Sequence, residues 1–309
     1  MDELKKNMAI LTLNSHMIRN AFVLVIVNQN FRYNKKRDGA LADKENIEKF
    51  CHEMKFTVND ISDIKLEDTS GLKFDKKKQL ITDDLTAREM KDLFQTILTG
   101  DFSSYDAFIC FISSHGVKEG ILGVDGYPLG LITVKDITDQ FTKGSRTLAG
   151  KPKIFFTQNC RGRQKNIGIP LHEEGDDGHR ENLVDMENHF DETPVTLPTG
   201  ADMLVAYSTV DGYESYRSTE NGSWFIIKLL EVLKKHAHSM SLTDMLAIVN
   251  DEISRMVSQQ GKKQMSCFTS LLSKPVYFEI KSSEIQPSAE PSSALKEAES
   301  SSNNQTAGV

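Results

Sequence analysis

The 309-residue sequence has no long apolar run, and this absence excludes several classes of protein. No stretch reaches the roughly 20 predominantly apolar residues that a helix needs to cross a bilayer. The start of the chain also lacks the sustained apolar segment and small-residue cleavage site of a secretory signal. The net charge of −7 is spread along the chain and creates no basic field for nucleic acid or an anionic membrane surface. These features predict a cytoplasmic protein without a nucleic-acid or membrane partner.

The sequence also has little cysteine, with four widely separated residues. None belongs to a Cys-x-x-Cys pair or has a histidine at the spacing of a zinc site, so the sequence predicts no metal and no cofactor. Cys51, Cys110 and Cys267 lie near apolar residues, which is typical of small buried side chains in a reducing compartment. Cys160 differs because polar residues and a glycine surround it.

Apolar runs alternate with helical stripes along the chain. Runs typical of strands buried on both faces begin near residues 21, 106, 151 and 201, and a last strand is predicted from residue 275. Apolar stripes predict helices over residues 47–54 and 90–98, after residue 223 and after residue 241. Thr86 and Glu89 form a capping-box pattern before the second of these helices. The alternation predicts an α/β fold, with a mostly parallel sheet and helices on both faces.

Two stretches lack periodicity. Residues 161–200 are rich in Asp, Glu, Gly, His and Asn, which predicts an exposed linker between a larger and a smaller region. Near the end of the chain, large apolar residues are too few to pack, which predicts a disordered tail. The predicted divisions are an N-terminal segment at 1–19, a larger region at 20–175, an acidic linker at 176–199, a smaller region at 200–281 and the tail at 282–309.

Two of the predicted strands end in residues that carry chemistry. His115 and Gly116 follow one strand, and Gln158 and Cys160 close the other. The carboxyl ends of adjacent parallel strands lie at the same edge of a sheet, so these residues are expected to lie close together. In open α/β sheets, ligands bind at that edge. A thiol with a pKa of about 8.5 needs a base or a cation beside it to act as a nucleophile, and His115 can serve as either. Backbone N–H groups of Gly116 and Cys160 are candidates to stabilise an oxyanion.

The segment Gln-Asn-Cys-Arg-Gly at residues 158–162 resembles the signature of the caspase family. That signature is Gln-Ala-Cys, then Arg, Gln or Gly, then Gly, with a histidine about 50 residues upstream. His115 lies 45 residues before Cys160. Ser-Ser-His-Gly at 113–116 and Gly-Ser-Trp-Phe at 222–225 also stand in the family's order.

The resemblance extends over residues 20–280 and implies the caspase fold, with a sheet of about six strands and large-subunit and small-subunit regions. It implies that Cys160 is the nucleophile, that His115 is its acid and base partner, and that Gly116 contributes an N–H to the oxyanion hole. It thereby implies an aspartate-specific cysteine endopeptidase.

The resemblance also implies a substrate pocket. Arg37 and Arg217 match the family's two arginines, and Gln158 precedes the nucleophile. Two guanidinium groups and an amide suit one buried carboxylate, which predicts cleavage after aspartate. The family pattern further implies that Ser215 and Arg217 bind peptide backbone by strand addition, that Tyr216 lines the next pocket, and that Trp224 borders the pocket beyond it.

Caspases are zymogens whose linker is cut after aspartate. By resemblance, the preferred sites here are Asp177 and Asp185, followed by Asp191. The implied partners are protein substrates with aspartate before the cut, a second copy of the chain in a homodimer of large and small subunits, an upstream activating caspase and inhibitor proteins. The short segment before residue 20 implies an executioner-like member that acts in apoptosis or a related cascade.

Four positions near the site bear on this prediction. Asn159 replaces the family's alanine beside the nucleophile, and Arg163 adds a positive charge that is expected to favour the thiolate. Glu214 stands where executioner members often have tyrosine, which leaves the preference for the second substrate residue open. The stretch at 257–264 is shorter than the executioner loop over the fourth substrate residue, whose preference also stays open.

Three alternatives remain at this point. A catalytically weak homologue that regulates an active caspase by dimerisation is suggested by Asn159 and Glu214, whereas the intact Cys160 and His115 argue against it. A protease that cuts after arginine or lysine, as metacaspase-like relatives do, is disfavoured because the first pocket is basic. A cysteine-containing metal-binding module is disfavoured because no residues have ligand spacing.

Overall fold

The structure is a computed structural model that describes residues 14–66, 68–76, 79–143, 146–168, 198 and 200–279. Most of the predicted linker and the whole predicted tail lie outside this part of the chain. The three predicted cleavage sites, Asp177, Asp185 and Asp191, also fall outside the described residues.

Fifteen strands and five α-helices are formed by the described residues. The strands are β1 (His16–Ile18), β2 (Ala21–Val27), β3 (Thr57–Val58), β4 (Ala107–Ser113), β5 (Gly116–Val117), β6 (Gly120–Leu122), β7 (Leu131–Ile132), β8 (Lys153–Gln158), β9 (Gly162–Gln164), β10 (Met203–Tyr207), β11 (Gly212–Tyr213), β12 (Arg217–Ser218), β13 (Gly222–Ser223), β14 (Cys267–Ser270) and β15 (Val276–Phe278). The helices are α1 (Ala40–Glu53), α2 (Ala87–Ile97), α3 (Val134–Lys143), α4 (Trp224–His236) and α5 (Leu242–Arg255).

Six of these strands form the central sheet, in the order β14, β10, β8, β4, β2, β3. The four pairings from β10 to β3 are parallel, and β14 runs antiparallel to β10 at the edge. This arrangement confirms the mostly parallel α/β sheet predicted from the alternating pattern.

The apolar core has two layers, one on each face of the central sheet. Strand β2 contributes to both layers because its side chains alternate between the two faces. Val23 and Val25 face one apolar cluster together with α1, α4 and α5. Phe22 and Leu24 face a second cluster together with α2 and α3. Helices therefore cover both faces, as predicted, and burying each large apolar side chain contributes about 1.5–3 kcal/mol.

The ends of the helices follow local signals where those signals are present. Thr86 caps α2: its hydroxyl accepts from the Glu89 N–H at 3.2 Å, and the Glu89 carboxylate accepts from the Thr86 N–H at 2.8 Å. Ser241 accepts the Asp244 N–H at 3.3 Å at the start of α5. Helix α3 was not predicted from the sequence. None of the helices in the described part of the chain is long and apolar enough to span a membrane.

The edges of the sheet differ from the prediction. The strand predicted from residue 275 exists as β15, but it pairs with β1 outside the central sheet. The two outer strands of that sheet, β3 and β14, were missed because they are short and only partly buried. Strand β1 lies within the predicted N-terminal segment 1–19, and its Ile18 is fully buried in the core.

The register of β4 and β8 determines what meets at the carboxyl edge of the sheet. Ser113 is the partner of Gln158 in this parallel pair. His115 and Cys160 each lie two residues beyond that pair, so they leave the sheet at the same edge. The fold thus brings together two segments that are 45 residues apart in the sequence.

Candidate active site

Cys160 follows β8 and is partly buried, with its sulfur facing the backbone of Ser215. The Ser215 N–H donates to Sγ at 3.4 Å, and Sγ lies 3.9 Å from the Ser215 carbonyl oxygen. Burial raises the pKa of the Cys160 thiol, and Glu214 raises it further, whereas the Ser215 N–H, Arg37 and Arg217 lower it. The raised pKa means that Cys160 is a neutral thiol at neutral pH.

His115 is oriented by the backbone of the segment before α1. Its Nε2 lies 2.8 Å from the carbonyl oxygen of Lys35. Because a carbonyl only accepts, Nε2 carries the ring proton and Nδ1 has a free lone pair. Burial lowers the pKa of His115, and Arg37 and Arg217 lower it further, while the Lys35 carbonyl acts in the opposite direction. The imidazole is therefore neutral at pH 7 and can accept a proton at Nδ1.

Gly116 packs directly against the segment that contains Cys160. A Cβ at this position would lie 2.3 Å from the Cys160 carbonyl oxygen and 2.5 Å from Nδ2 of Asn159. Both distances are too short for a side chain. Glycine at 116 thus lets the histidine and cysteine segments approach each other.

Asn159 fits beside Cys160 with its backbone and its amide nitrogen hydrogen-bonded. Its Nδ2 donates to the Cys160 carbonyl oxygen at 2.9 Å. Its backbone N–H donates to Ser208 Oγ at 3.2 Å, and its carbonyl accepts from the same hydroxyl at 2.9 Å. The asparagine that replaces the family's alanine is therefore an ordered part of the site.

Arg37 belongs to the predicted substrate pocket and is only 1% exposed. Its guanidinium donates to the Asn28 carbonyl oxygen at 2.9 Å and to Ser113 Oγ at 3.0 Å. Nε is buried and has no hydrogen-bond partner among the described residues. Burial, followed by the charge of Arg217, lowers the pKa of Arg37 to about 9. This lowering shows that the surroundings penalise the positive charge, which a ligand carboxylate would relieve.

Arg217 and Gln158 complete the polar part of this pocket. Arg217 Nε donates to the Asp38 carbonyl oxygen at 2.6 Å, and burial lowers the pKa of Arg217. Gln158 is buried, and its Nε2 donates to Ser215 Oγ at 2.9 Å. The structure thus places the predicted residues Arg37, Arg217, Gln158 and Ser215 around Cys160.

Tyr216 and Trp224 provide an apolar wall next to this polar pocket. Their ring centroids are 5.3 Å apart at 44°. The Trp224 N–H donates to the Tyr216 carbonyl oxygen at 3.2 Å, which ties the two segments together. Both rings belong to the smaller region of the chain.

Gln264 was missed as a site residue by the sequence analysis. It is 2% exposed, its Oε1 accepts from the Tyr216 N–H at 2.6 Å, and its Nε2 donates to the Ser208 carbonyl oxygen at 2.7 Å. It supports the pocket strand from behind. A single glutamine at the end of a polar stretch gave no signal for this role.

The sequence that builds this site matches a known family. The family model described as caspase domain matches residues 20–277 of this chain. The chain belongs to the caspase family. The resemblance predicted from the segment at 158–162 is thereby confirmed.

Curated caspases are similar over most of this chain. Caspase-6 from Gallus gallus is 32% identical over 276 residues, which cover 85% of this chain and 82% of that caspase. Caspase-3 from Bos taurus is 33% identical over 267 residues, which cover 82% and 83% of the two chains. Caspase-6 from Rattus norvegicus is 38% identical over a shorter stretch of 210 residues, with 63% and 72% covered.

Two expectations about this caspase site need correction. Arg163 is exposed, and the cations that lower the pKa of Cys160 are Arg37 and Arg217. The stretch predicted as an exposed linker also begins with structure, because β9 pairs with β11. This short strand has no apolar alternation and escaped detection. Within the described residues, no group of three or more His, Cys, Asp or Glu side chains is placed to hold a metal ion.

Proposed function

We propose that this caspase is an active cysteine endopeptidase that cuts proteins after aspartate and acts in apoptosis or a related proteolytic cascade. The observation that carries the proposal is the placement of Arg37 and Arg217 beside the Cys160 thiol, where both guanidinium groups have lowered pKa values. A substrate carboxylate supplies the negative charge that this pocket favours.

In the proposed reaction, the Cys160 thiol and the His115 imidazole are both neutral at the start. As Sγ of Cys160 attacks the substrate carbonyl carbon, Nδ1 of His115 takes the thiol proton, and the carbonyl oxygen becomes an oxyanion held by backbone N–H groups, with Gly116 among the donors. The imidazolium then protonates the leaving amine as the C–N bond breaks. Water, activated by His115, hydrolyses the thioester and restores the thiol.

The specificity follows from charge and shape together. The substrate aspartate lies between Arg37, Arg217 and the Gln158 amide, where charge-assisted hydrogen bonds are stronger than neutral ones. Tyr216 and Trp224 receive the preceding side chains, and the backbone at Ser215 pairs with the peptide as an added strand. A basic pocket of this kind opposes lysine or arginine at the cut.

Family membership supports the remaining parts of the proposal. The enzyme is a cytoplasmic zymogen that is cut at Asp177, Asp185 or Asp191 and works as a homodimer of large and small subunit pairs. An upstream caspase activates it, and inhibitor proteins regulate it. No metal, cofactor, nucleic acid or membrane takes part.

The deciding experiment compares the wild-type protein with Cys160→Ala after expression in bacteria. Intact mass spectrometry should detect cleavage after a linker aspartate in the wild type alone. Cys267→Ala is the matched control, because Cys267 is also a partly buried free thiol but lies on β14 outside the site. It should be processed like the wild type. A linker-cut wild type that leaves aspartyl peptides intact would refute the proposal.

Asn159 favours one second candidate function, that of a weak homologue which regulates another caspase through dimerisation. Its amide fills the space beside Gly116 where the common signature has alanine. In this case the linker-cut protein would be inactive but would change the activity of an added active caspase. Recovery of peptide cleavage in Asn159→Ala would identify the amide as the cause.

A further inference from the structure

Asp43 is a fully buried carboxylate on α1, outside the set of residues assigned to catalysis or substrate binding above. Its Oδ1 accepts from the Ser223 N–H at 2.6 Å. Its Oδ2 accepts from Ser223 Oγ at 2.6 Å and from Ser113 Oγ at 3.0 Å. One side chain therefore joins the end of β4 in the larger region to the start of α4 in the smaller region.

The contact with Ser113 connects Asp43 to the first arginine of the pocket. Ser113 Oγ donates to Asp43 and accepts from the Arg37 guanidinium at 3.0 Å. The hydroxyl thus has a defined direction, with the proton on the side of the carboxylate. This series of hydrogen bonds fixes one end of the Arg37 guanidinium. The Nε atom of the same guanidinium has no hydrogen-bond partner among the described residues.

The contact with Ser223 connects Asp43 to the second arginine. Ser223 is the cross-strand partner of Arg217 in the β12–β13 hairpin, and it directly precedes Trp224. Because Asp43 accepts both the backbone N–H and the hydroxyl of Ser223, it fixes the hairpin against α1. The position of Arg217 follows from the position of this hairpin.

Two glycines make this docking sterically feasible. A Cβ at Gly222 would lie 2.6 Å from Asp43 Oδ1, and one at Gly39 would lie 2.2 Å from the Ser218 carbonyl oxygen. Both glycines have positive φ, 95° and 83°, which side chains rarely adopt. The start of α1 and the hairpin therefore fit closely around the carboxylate.

Electrostatics agree with this geometry. A buried carboxylate is costly unless it is hydrogen-bonded and near positive charge. Asp43 has the three hydrogen bonds above, and its charge favours the protonated forms of both Arg37 and Arg217. Among the described residues, neither arginine lies within ion-pair distance of Asp43. The carboxylate therefore acts on the two cations through Ser113 and Ser223 and through its charge.

We propose that Asp43 is a positioning residue for aspartate recognition, which aligns Arg37 through Ser113 and Arg217 through Ser223. This inference rests on the proposed function, because it concerns how the same pocket reads its substrate. It predicts that loss of the carboxylate weakens substrate binding more than it slows the chemical step.

The test measures kcat and KM of linker-cut protein on an aspartyl peptide for Asp43→Asn, Ser113→Ala and Ser223→Ala. Glu45→Gln is the matched control, since Glu45 is an exposed acid on the same helix. We expect KM to rise about 10- to 100-fold in Asp43→Asn and about 3- to 10-fold in each serine variant, given the usual effect of losing a buried hydrogen bond. We expect kcat to stay within about 3-fold and Glu45→Gln to match the wild type.

A second readout separates the pocket from the nucleophile. Alkylation of Cys160 by iodoacetamide, followed by mass spectrometry of its peptide, requires no substrate carboxylate. We expect its rate in Asp43→Asn to match that of the wild type, because the Cys160 sulfur contacts the backbone of Ser215 and has no contact with Asp43 among the described residues. A general loss of structure would instead change alkylation together with KM.

The outcomes distinguish this inference from the proposed function. Unchanged KM in folded Asp43→Asn, or a fall in kcat at constant KM, overturns the role of Asp43 while the wild type still cleaves aspartyl peptides. If Asp43→Asn does not fold, the serine variants decide, and unchanged KM in both overturns the inference. A linker-cut wild type that fails to cleave aspartyl peptides refutes the proposed function itself.

Discussion

The larger and smaller regions of this caspase build their parts of the site in different ways. Every residue of β4 and β8 is buried, and their register alone brings the His115 and Cys160 segments to one edge of the sheet. The β12–β13 hairpin has only two residues in each strand and is fixed by hydrogen bonds from elsewhere. The proposed chemistry thus depends on the central sheet, whereas the proposed specificity depends on a short hairpin held by hydrogen bonds from other elements.

Of the changes to residues at the edge of the central sheet, removal of the proposed base His115 should give the largest loss of activity. We expect His115→Ala to lower kcat/KM on an aspartyl peptide by about 10³-fold, because the proposed general base for the Cys160 thiol is then removed. The exposed His238 provides the control, and His238→Ala should match the wild type. Loss of less than about tenfold in His115→Ala would mean that the sheet edge does not place the base.

The two pocket arginines, Arg37 in the larger region and Arg217 in the smaller region, differ in burial. Their variants therefore sharpen the comparison between the two regions. We expect Arg217→Gln and Arg37→Gln each to lower kcat/KM by about 10²-fold through loss of charge-assisted hydrogen bonds. Arg37 is also packed in the core and bonded to Asn28 and Ser113, so Arg37→Gln should lower the melting temperature as well. Thermal melts measured beside kinetics check this split. Equal melting temperatures for both variants would contradict it.

The sequence was most informative where structure is periodic. The apolar runs of β2, β4, β8 and β10 predicted the sheet, and the residues after two of them predicted the catalytic segments. The pocket residues Arg37 and Arg217 came only from resemblance to a family, because loop positions have no period. Gln264 and Lys35 act through hydrogen bonds to distant segments. Such partners depend on tertiary packing, which no local pattern encodes.

A small change at the junction of the two catalytic segments tests how rigid the sheet edge is. Gly116→Ala places a Cβ against the Cys160 carbonyl, and we expect kcat/KM to fall by about 10- to 100-fold as the segments move apart. Asn159→Ala removes one hydrogen bond and leaves the backbone in place, so we expect a change within about 3-fold. Both are measured on the same peptide. A Gly116→Ala enzyme with wild-type kinetics would contradict the close approach.

The smallest expected effect is a shift in pH dependence. In the free enzyme, burial and the two arginines lower the pKa of His115 below 6.5, so kcat/KM should be lost only as the pH falls below that value. A bound aspartate offsets Arg37 and Arg217, which raises the pKa of His115 in the complex. The acid limb of kcat should therefore lie at higher pH than that of kcat/KM. Coinciding limbs would show that the pocket and the base are not coupled.

The pairing of β9 with β11 has a consequence for a protein cut between its larger and smaller regions. Gly162 and Gly212 approach so closely that a Cβ on Gly162 would lie 2.1 Å from the Gly212 carbonyl oxygen. The Arg161 N–H donates to the Tyr213 carbonyl oxygen at 2.9 Å, and the Gly212 N–H donates to the Arg161 carbonyl oxygen at 2.7 Å. Strand β8 also pairs with β10 across the same divide. A cut between Gly168 and Pro198 leaves all these contacts intact. Such a cut therefore yields two polypeptides that stay joined as one folded body through these pairings.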